Sequence, residues 1–196
     1  MSFTAKNTYY FEKPGPLNTE DAARFSVERA QELGISKIVV ASSKGQTARV
    51  FYEAVKDTEI DLVVVTHVVG FREPGVWEFP SEIAEELESK GVSIIKGTHT
   101  LSGMERAMSG NPKLGGSSRT EAVAEALRKT VAVGLKVAVE CTLIAADQGA
   151  IPVNDEIIAV GGTATGADTV CVIKPSHTSK YFDLQVREIV AMPRNR

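Results

Sequence analysis

The 196-residue sequence predicts a three-layer α/β fold: a mostly parallel sheet covered by helices on both faces, with an antiparallel edge strand. Three observations carry this. Helix and strand signals alternate along the chain. The strand segments are near-continuous Val/Ile runs, as expected of strands buried on both faces. Loops rich in Gly, Ser and Thr follow several of these strands, where ligands of open α/β sheets bind.

The elements follow in order. Over 19–34, Ala22, Ala23, Phe25, Ala30 and Leu33 recur near helical spacing, Asn18 or Thr19 caps the start and Gly34 ends the helix. KIVVA, 37–41, reads as a strand. Helix 48–56 follows, with Val50, Phe51, Ala54 and Val55 inward. DLVVVT, 61–66, is the next strand, followed by a loop over 67–79, a helix over 80–90 ended by Gly91, and the strand VSIIK, 92–96. A polar loop covers 97–118, with a short helical turn over 104–108 whose Met104, Ala107 and Met108 read as local core. A helix spans 119–133. The segment 135–147 exceeds ordinary strand length and Gly149 can terminate it, so it reads as a buried helix. EIIAV, 156–160, and TVCVIK, 169–174, are strands, and LQVREIVAM, 184–192, alternates like an edge strand. The whole chain, 1–196, reads as a single domain.

Between the first strand and its helix lies SSKGQTAR, 42–49. The first N–H groups of a helix have no partner within it, and the helix dipole places partial positive charge there. Gly45 lets the backbone approach an anion. Ser42, Ser43 and Thr47 offer hydroxyls, Lys44 a charge, and Gln46 sits at the helix start. This pattern points to a phosphate cradle; the alternative is a Ser-capped helix without ligand. The segment matches neither the P-loop nor the dinucleotide fingerprint.

The three histidines, His67, His99 and His177, each follow a predicted strand, which on a parallel sheet puts them on the same rim as the cradle. Thr66, Gly70, Phe71 and Thr98 stand beside them. A second glycine- and hydroxyl-rich loop, GGTATGAD (161–168), contributes Gly161, Gly162 and Thr163. It suits close approach of a flat ring or a second phosphate, or is an ordinary turn. The histidines read either as acid/base or hydrogen-bond groups for a ligand, or as solvated loop residues; their spacing is not that of metal ligands, and no metal is expected. Glu140, alone in an apolar helix, either faces solvent or aims at the site, and if buried it needs a partner. Trp77 covers a planar ligand or lids the sheet.

Composition sets the outer bounds. The apolar fraction of 43% suffices for a core, and the net charge of −3 argues against a nucleic-acid-binding face. Two distant cysteines, Cys141 and Cys171, in apolar surroundings suit inert thiols in a reducing cytoplasm. The N-terminus lacks a basic segment followed by a long apolar run, and no apolar run reaches membrane-spanning length, so neither a leader nor a membrane contact is expected. A homo-oligomer is left open.

The order strand, SSKGQTA, helix, strand, THVVGF resembles the C-terminal domain of pyruvate kinase, best over 38–70. It resembles more closely a stand-alone, archaeal-type family related to that domain, to which VAVECTLIAADQGAIP and DEIIAVGGTATGADTV are also similar. The resemblance implies a pyruvate kinase C-terminal-domain-like fold. It also implies that Ser42, Ser43, Gly45, Gln46 and Thr47 take the role of the loop that holds an effector phosphate. It does not extend to the catalytic barrel, so no pyruvate kinase activity is implied. The stand-alone relatives are associated with FMN. On that implication the chain is a phosphate-ester-binding protein and a small flavoprotein, with the ring held by the rim loops. The alternative is a non-catalytic sensor of a phosphosugar or nucleotide.

Overall fold

The computed structural model describes residues 3–195; Met1, Ser2 and Arg196, which the single-domain and leader readings include, lie outside them. Seven strands form one sheet: β1 (Tyr9–Phe11), β2 (Lys37–Ala41), β3 (Asp61–Thr66), β4 (Ser93–Lys96), β5 (Ile157–Gly161), β6 (Thr169–Lys174) and β7 (Gln185–Pro193). Their spatial order is β1-β7-β6-β5-β2-β3-β4. Among the described residues, six α-helices accompany them: α1 (Thr19–Leu33), α2 (Gln46–Val55), α3 (Ser81–Ser89), α4 (Gly103–Ser109), α5 (Arg119–Thr130) and α6 (Val133–Asp147).

Alternation along each strand sorts the core into two layers. Ile38, Val40, Leu62, Val64, Ile158 and Val160 pack under α1, α2 and α3, around Phe25, Phe51 and Leu87. Val39, Val63, Val65, Ile157 and Ala159 face the other way, onto α5 and α6. Each central strand therefore buries both faces, which is why its sequence is a continuous aliphatic run. The buried-helix reading of 135–147 holds: α6 is buried along nearly its whole length, between the sheet and α5. A Cβ on Gly161 would lie 2.2 Å from the Gly134 carbonyl oxygen, so this glycine lets β5 and α6 meet.

The other side of the sheet differs from the sequence expectation in detail. The antiparallel member is β6, paired antiparallel with both β5 and β7. The run over 184–192 forms β7, which is not outermost. The short β1 adds outside it, in parallel. Within α1, the buried Arg29 donates from Nε to Glu188 of β7 at 3.0 Å and pins the helix to this side. Because β6 runs against its neighbours, the residue that follows it leaves the ligand rim. His177 lies at the opposite end of the sheet, with Nδ1 3.2 Å from Asp147 at the end of α6. The same-rim expectation for His177 is corrected by that reversal. The local-core reading of Met104 and Met108 also gives way: both side chains are exposed.

Candidate functional site

The strand order reverses direction between β2 and β5, and a cleft of about 1000 Å³ opens beyond the carboxyl ends of these strands and β3. Its floor is the turn into α2. Ser42 is buried, and its hydroxyl oxygen accepts the N–H groups of Gly45 (3.2 Å) and Ala48 (3.3 Å). This serine thus caps the helix from outside it. Gly45 holds φ +88°, and a Cβ there would meet Ile83 of α3 at 2.8 Å. The glycine is required by conformation and by packing; it does not line the cleft. The first two helical N–H groups, of Gln46 and Thr47, have no acceptor among the described residues. Beside them the Thr47 side chain is buried and also lines the cleft, with Ser43, Lys44 and Gln46.

The β3 loop places His67 against this turn. Its Nε2 lies 3.3 Å from Ser43 Oγ, and its Nδ1 lies 2.8 Å from Glu78 Oε2. Arg72 joins the same carboxylate through Nε at 3.2 Å. The hydrogen bond from His67, aided by Arg72, holds the Glu78 carboxyl below the usual carboxylate range despite partial desolvation. The loop is folded back on itself by the Gly70 N–H, which donates to the Val76 carbonyl at 2.9 Å. Trp77 Nε1 donates to Thr66 Oγ1 at 2.9 Å while its ring stacks near Phe79 and carries the Lys96 ammonium 3.8 Å from its centroid. Of the two readings of Trp77, the packing one describes these contacts. Phe71 instead faces the cleft, its ring centroid 3.9 Å from that of His67 and 5.0 Å from that of His99.

His99, after β4, completes the wall. Its ring centroid is 5.5 Å from that of His67. Its Nδ1 lies 3.0 Å from Glu140 Oε2, while Glu140 Oε1 accepts the Leu101 N–H at 2.9 Å. Lys136, one helical turn before Glu140 on α6, pairs with the same carboxylate; both are buried. Burial pushes the Glu140 carboxyl up. The His99 hydrogen bond and the Lys136 ammonium outweigh this and hold it at about 2. Of the two readings of Glu140, the one aimed at the site describes its position. His99 Nε2 and Thr100 Oγ1 are buried and find no hydrogen-bond partner among the described residues. Cys141 lies alongside, its thiol pushed up by burial to about 12.

The 161–168 loop closes the far side through Gly162, Ala164, Thr165 and Gly166. Its glycines are also explained by packing: a Cβ on Gly162 would strike the Gly166 carbonyl at 2.2 Å, and one on Gly166 would strike Pro16. Asp168, fully buried, accepts the N–H groups of Gly15 and Thr163, each at 3.0 Å, and so ties this loop to the start of α1. Of the sequence candidates, Ser42, Ser43, Lys44, Gln46, Thr47, Thr66, His67, Phe71, His99 and Gly162 line one cleft. Gly45, Gly70, Thr98, Gly161 and Thr163 do not line it. Glu78, Arg72, Lys136, Arg106 and Arg128 were not among the candidates. Glu78 and Lys136 act through side-chain contacts that sequence spacing does not mark, although Lys136 and Glu140 stand at an i,i+4 ion-pair spacing.

Among the described residues, no group of three or more His, Cys, Asp or Glu side chains is placed to hold a metal ion. Among the described residues, no helix is long and apolar enough to cross a membrane.

The family model described as the pyruvate kinase alpha/beta domain matches residues 20–173. Three solved structures of pyruvate kinase from Cryptosporidium parvum are similar to the chain. They share 17%, 16% and 16% identity, with TM-scores of 0.43, 0.40 and 0.41. One of them is a complex with ADP. The alignments cover 84%, 85% and 84% of this chain, but only 24%, 25% and 23% of theirs. The chain thus spans about a quarter of the length of these enzymes.

Proposed function

The chain belongs to the pyruvate kinase alpha/beta domain family, and from that premise we propose that it binds a phosphorylated small molecule, FMN, in the rim cleft. The observation that carries the reading is the start of α2. Two open N–H groups, of Gln46 and Thr47, stand beside a buried threonine hydroxyl and the Lys44 ammonium. A terminal phosphate matches that donor set. His99 lines the cleft, and its Nε2, buried without a partner among the described residues, is the kind of group that a polar ring edge satisfies. Phe71 offers an aromatic face nearby, and a cleft of about 1000 Å³ accommodates a three-ring ligand. A dinucleotide fits less well. It would want a glycine fingerprint for the pyrophosphate and an acid after the next strand, where this chain has Thr66 and His67.

When bound, FMN would supply redox chemistry, and the chain's own residues would orient it and exclude water. We assign no pyruvate kinase activity, since the family match covers the alpha/beta domain alone. The setting we assign is the cytoplasm. Isothermal titration with FMN, FAD, NAD and fructose bisphosphate tests the reading. FMN should bind most tightly. Tighter binding of the sugar bisphosphate would replace the flavoprotein with an effector-sensing module, and no binding by any of the four would overturn both.

A further inference from the structure

We propose that Ser43, His67 and Glu78 form a nucleophile–base–orienter triad that hydrolyses small carboxylic esters in the rim cleft. The inference goes beyond the ligand-binding reading and does not depend on it. It rests on geometry that no sequence motif announced. Ser43 Oγ lies 3.3 Å from His67 Nε2, and His67 Nδ1 lies 2.8 Å from Glu78 Oε2. A serine, an imidazole bridging through its two nitrogens, and a carboxylate in that order are the parts of an activated hydroxyl nucleophile. The serine–imidazole contact is at the long end of hydrogen-bond reach, as is common before substrate binds.

The surroundings supply the other requirements of acyl transfer. Glu78 is mostly buried and its carboxyl is held below the usual range; the tautomer that donates to it from Nδ1 leaves Nε2 as the base. Ser43 and His67 both line the open cleft, so a substrate reaches them. The N–H groups of Lys44, Gln46 and Thr47, in the same turn as Ser43, have no acceptor among the described residues. They are available to an oxyanion. His99 is separately occupied by Glu140 and does not compete for Glu78.

The step balances without an oxidant or a metal. Ser43 Oγ bonds to the ester carbonyl carbon as its proton passes to His67 Nε2. The carbon–alkoxy bond then breaks, and the alcohol leaves with that proton. Water attacks the acyl carbon, its proton passes to Nε2, and the Oγ–carbon bond breaks as Ser43 recovers a proton. The products are a carboxylic acid and an alcohol.

The test treats the folded chain with an uncharged alkyl fluorophosphonate, which phosphonylates activated serines. Adduct is read by intact mass and peptide mapping, and p-nitrophenyl acetate turnover is followed in parallel. One adduct, on Ser43, is expected. It should be lost in urea-unfolded protein and in Ser43→Ala, and should form at least 100-fold more slowly in His67→Asn. Glu78 is a positioning residue: Glu78→Gln should slow labelling at least 10-fold, with partial rescue in Glu78→Asp, which a purely structural role would not give. Absence of an adduct, an adduct on another residue, or unchanged labelling in His67→Asn would overturn the triad. Should His67→Asn fail to fold, labelling of the wild type that survives urea would overturn it equally.

Discussion

At the residue scale, the cleft depends on side chains whose structural duties decide what remains for a ligand. Ser42 spends its oxygen on two backbone N–H groups, which leaves the open donors to Gln46 and Thr47. Gly45 makes that division possible, and its two constraints separate by substitution. In Gly45→Ala the left-handed backbone (φ +88°) costs about 1–2 kcal/mol, and the new Cβ must also displace Ile83 from 2.8 Å. Gly34→Ala carries the backbone cost alone, since its φ is +68° and nothing stands within 4 Å. Urea unfolding should therefore show Gly45→Ala as the more destabilised of the two, by about 1 kcal/mol or more. Equal losses would mean that α3 does not press on this turn. The turn into α2 was legible in the sequence because hydroxyls, glycine and lysine are contiguous there. Glu78 was not, because it reaches His67 only after the glycine turns of its loop fold the chain back.

At the scale of elements, α6 carries the costliest arrangement. Lys136 and Glu140 are charged groups inside the buried stretch of a largely apolar helix, and each is tolerable because the other is present. The folded value of the Glu140 carboxyl, about 2, lies below its ordinary 4.5. Its folded form therefore takes up a proton less readily than its unfolded form. The stabilisation, about 3 kcal/mol, is complete above pH ~4.5 and is lost as pH falls toward 2. The unfolding free energy, followed from pH 6 to pH 2.5, should fall more steeply in the wild type than in a Lys136→Met/Glu140→Gln double variant. Parallel curves would show that the pair does not govern acid stability. The single change Glu140→Gln should be worse than the double, since it leaves the Lys136 ammonium buried alone. The buried helix itself was legible from length and composition, whereas the role of its acid was not, because its partner His99 comes from the loop after β4, far away in sequence. The reversal of β6 was legible in principle. The connection 162–168 is too short for a parallel crossover, which needs about a dozen residues or more. The aliphatic run of β6 reads the same in either direction, and His177 was misplaced with it.

At the scale of the whole molecule, one topological fact gathers the site. The sheet order reverses between β2 and β5, so the turns after β2, β3, β4 and β5 meet over one cleft, although they span more than a hundred residues of sequence. The parallel half of the sheet was legible because every central strand buries both faces and must be aliphatic. The outer strand β1 was not, since three partly exposed residues leave no periodic signal. On the proposed reading a ligand phosphate sits on the start of α2. The most direct measurement is the dissociation constant of FMN for the wild type and for Thr47→Ala, by isothermal titration, with urea unfolding of both proteins alongside. Loss of one hydrogen bond to a charged phosphate should weaken binding by about 1.5–3 kcal/mol, roughly 10- to 150-fold, with the unfolding midpoint little changed. FMN binding that is unaffected by Thr47→Ala would contradict the claim.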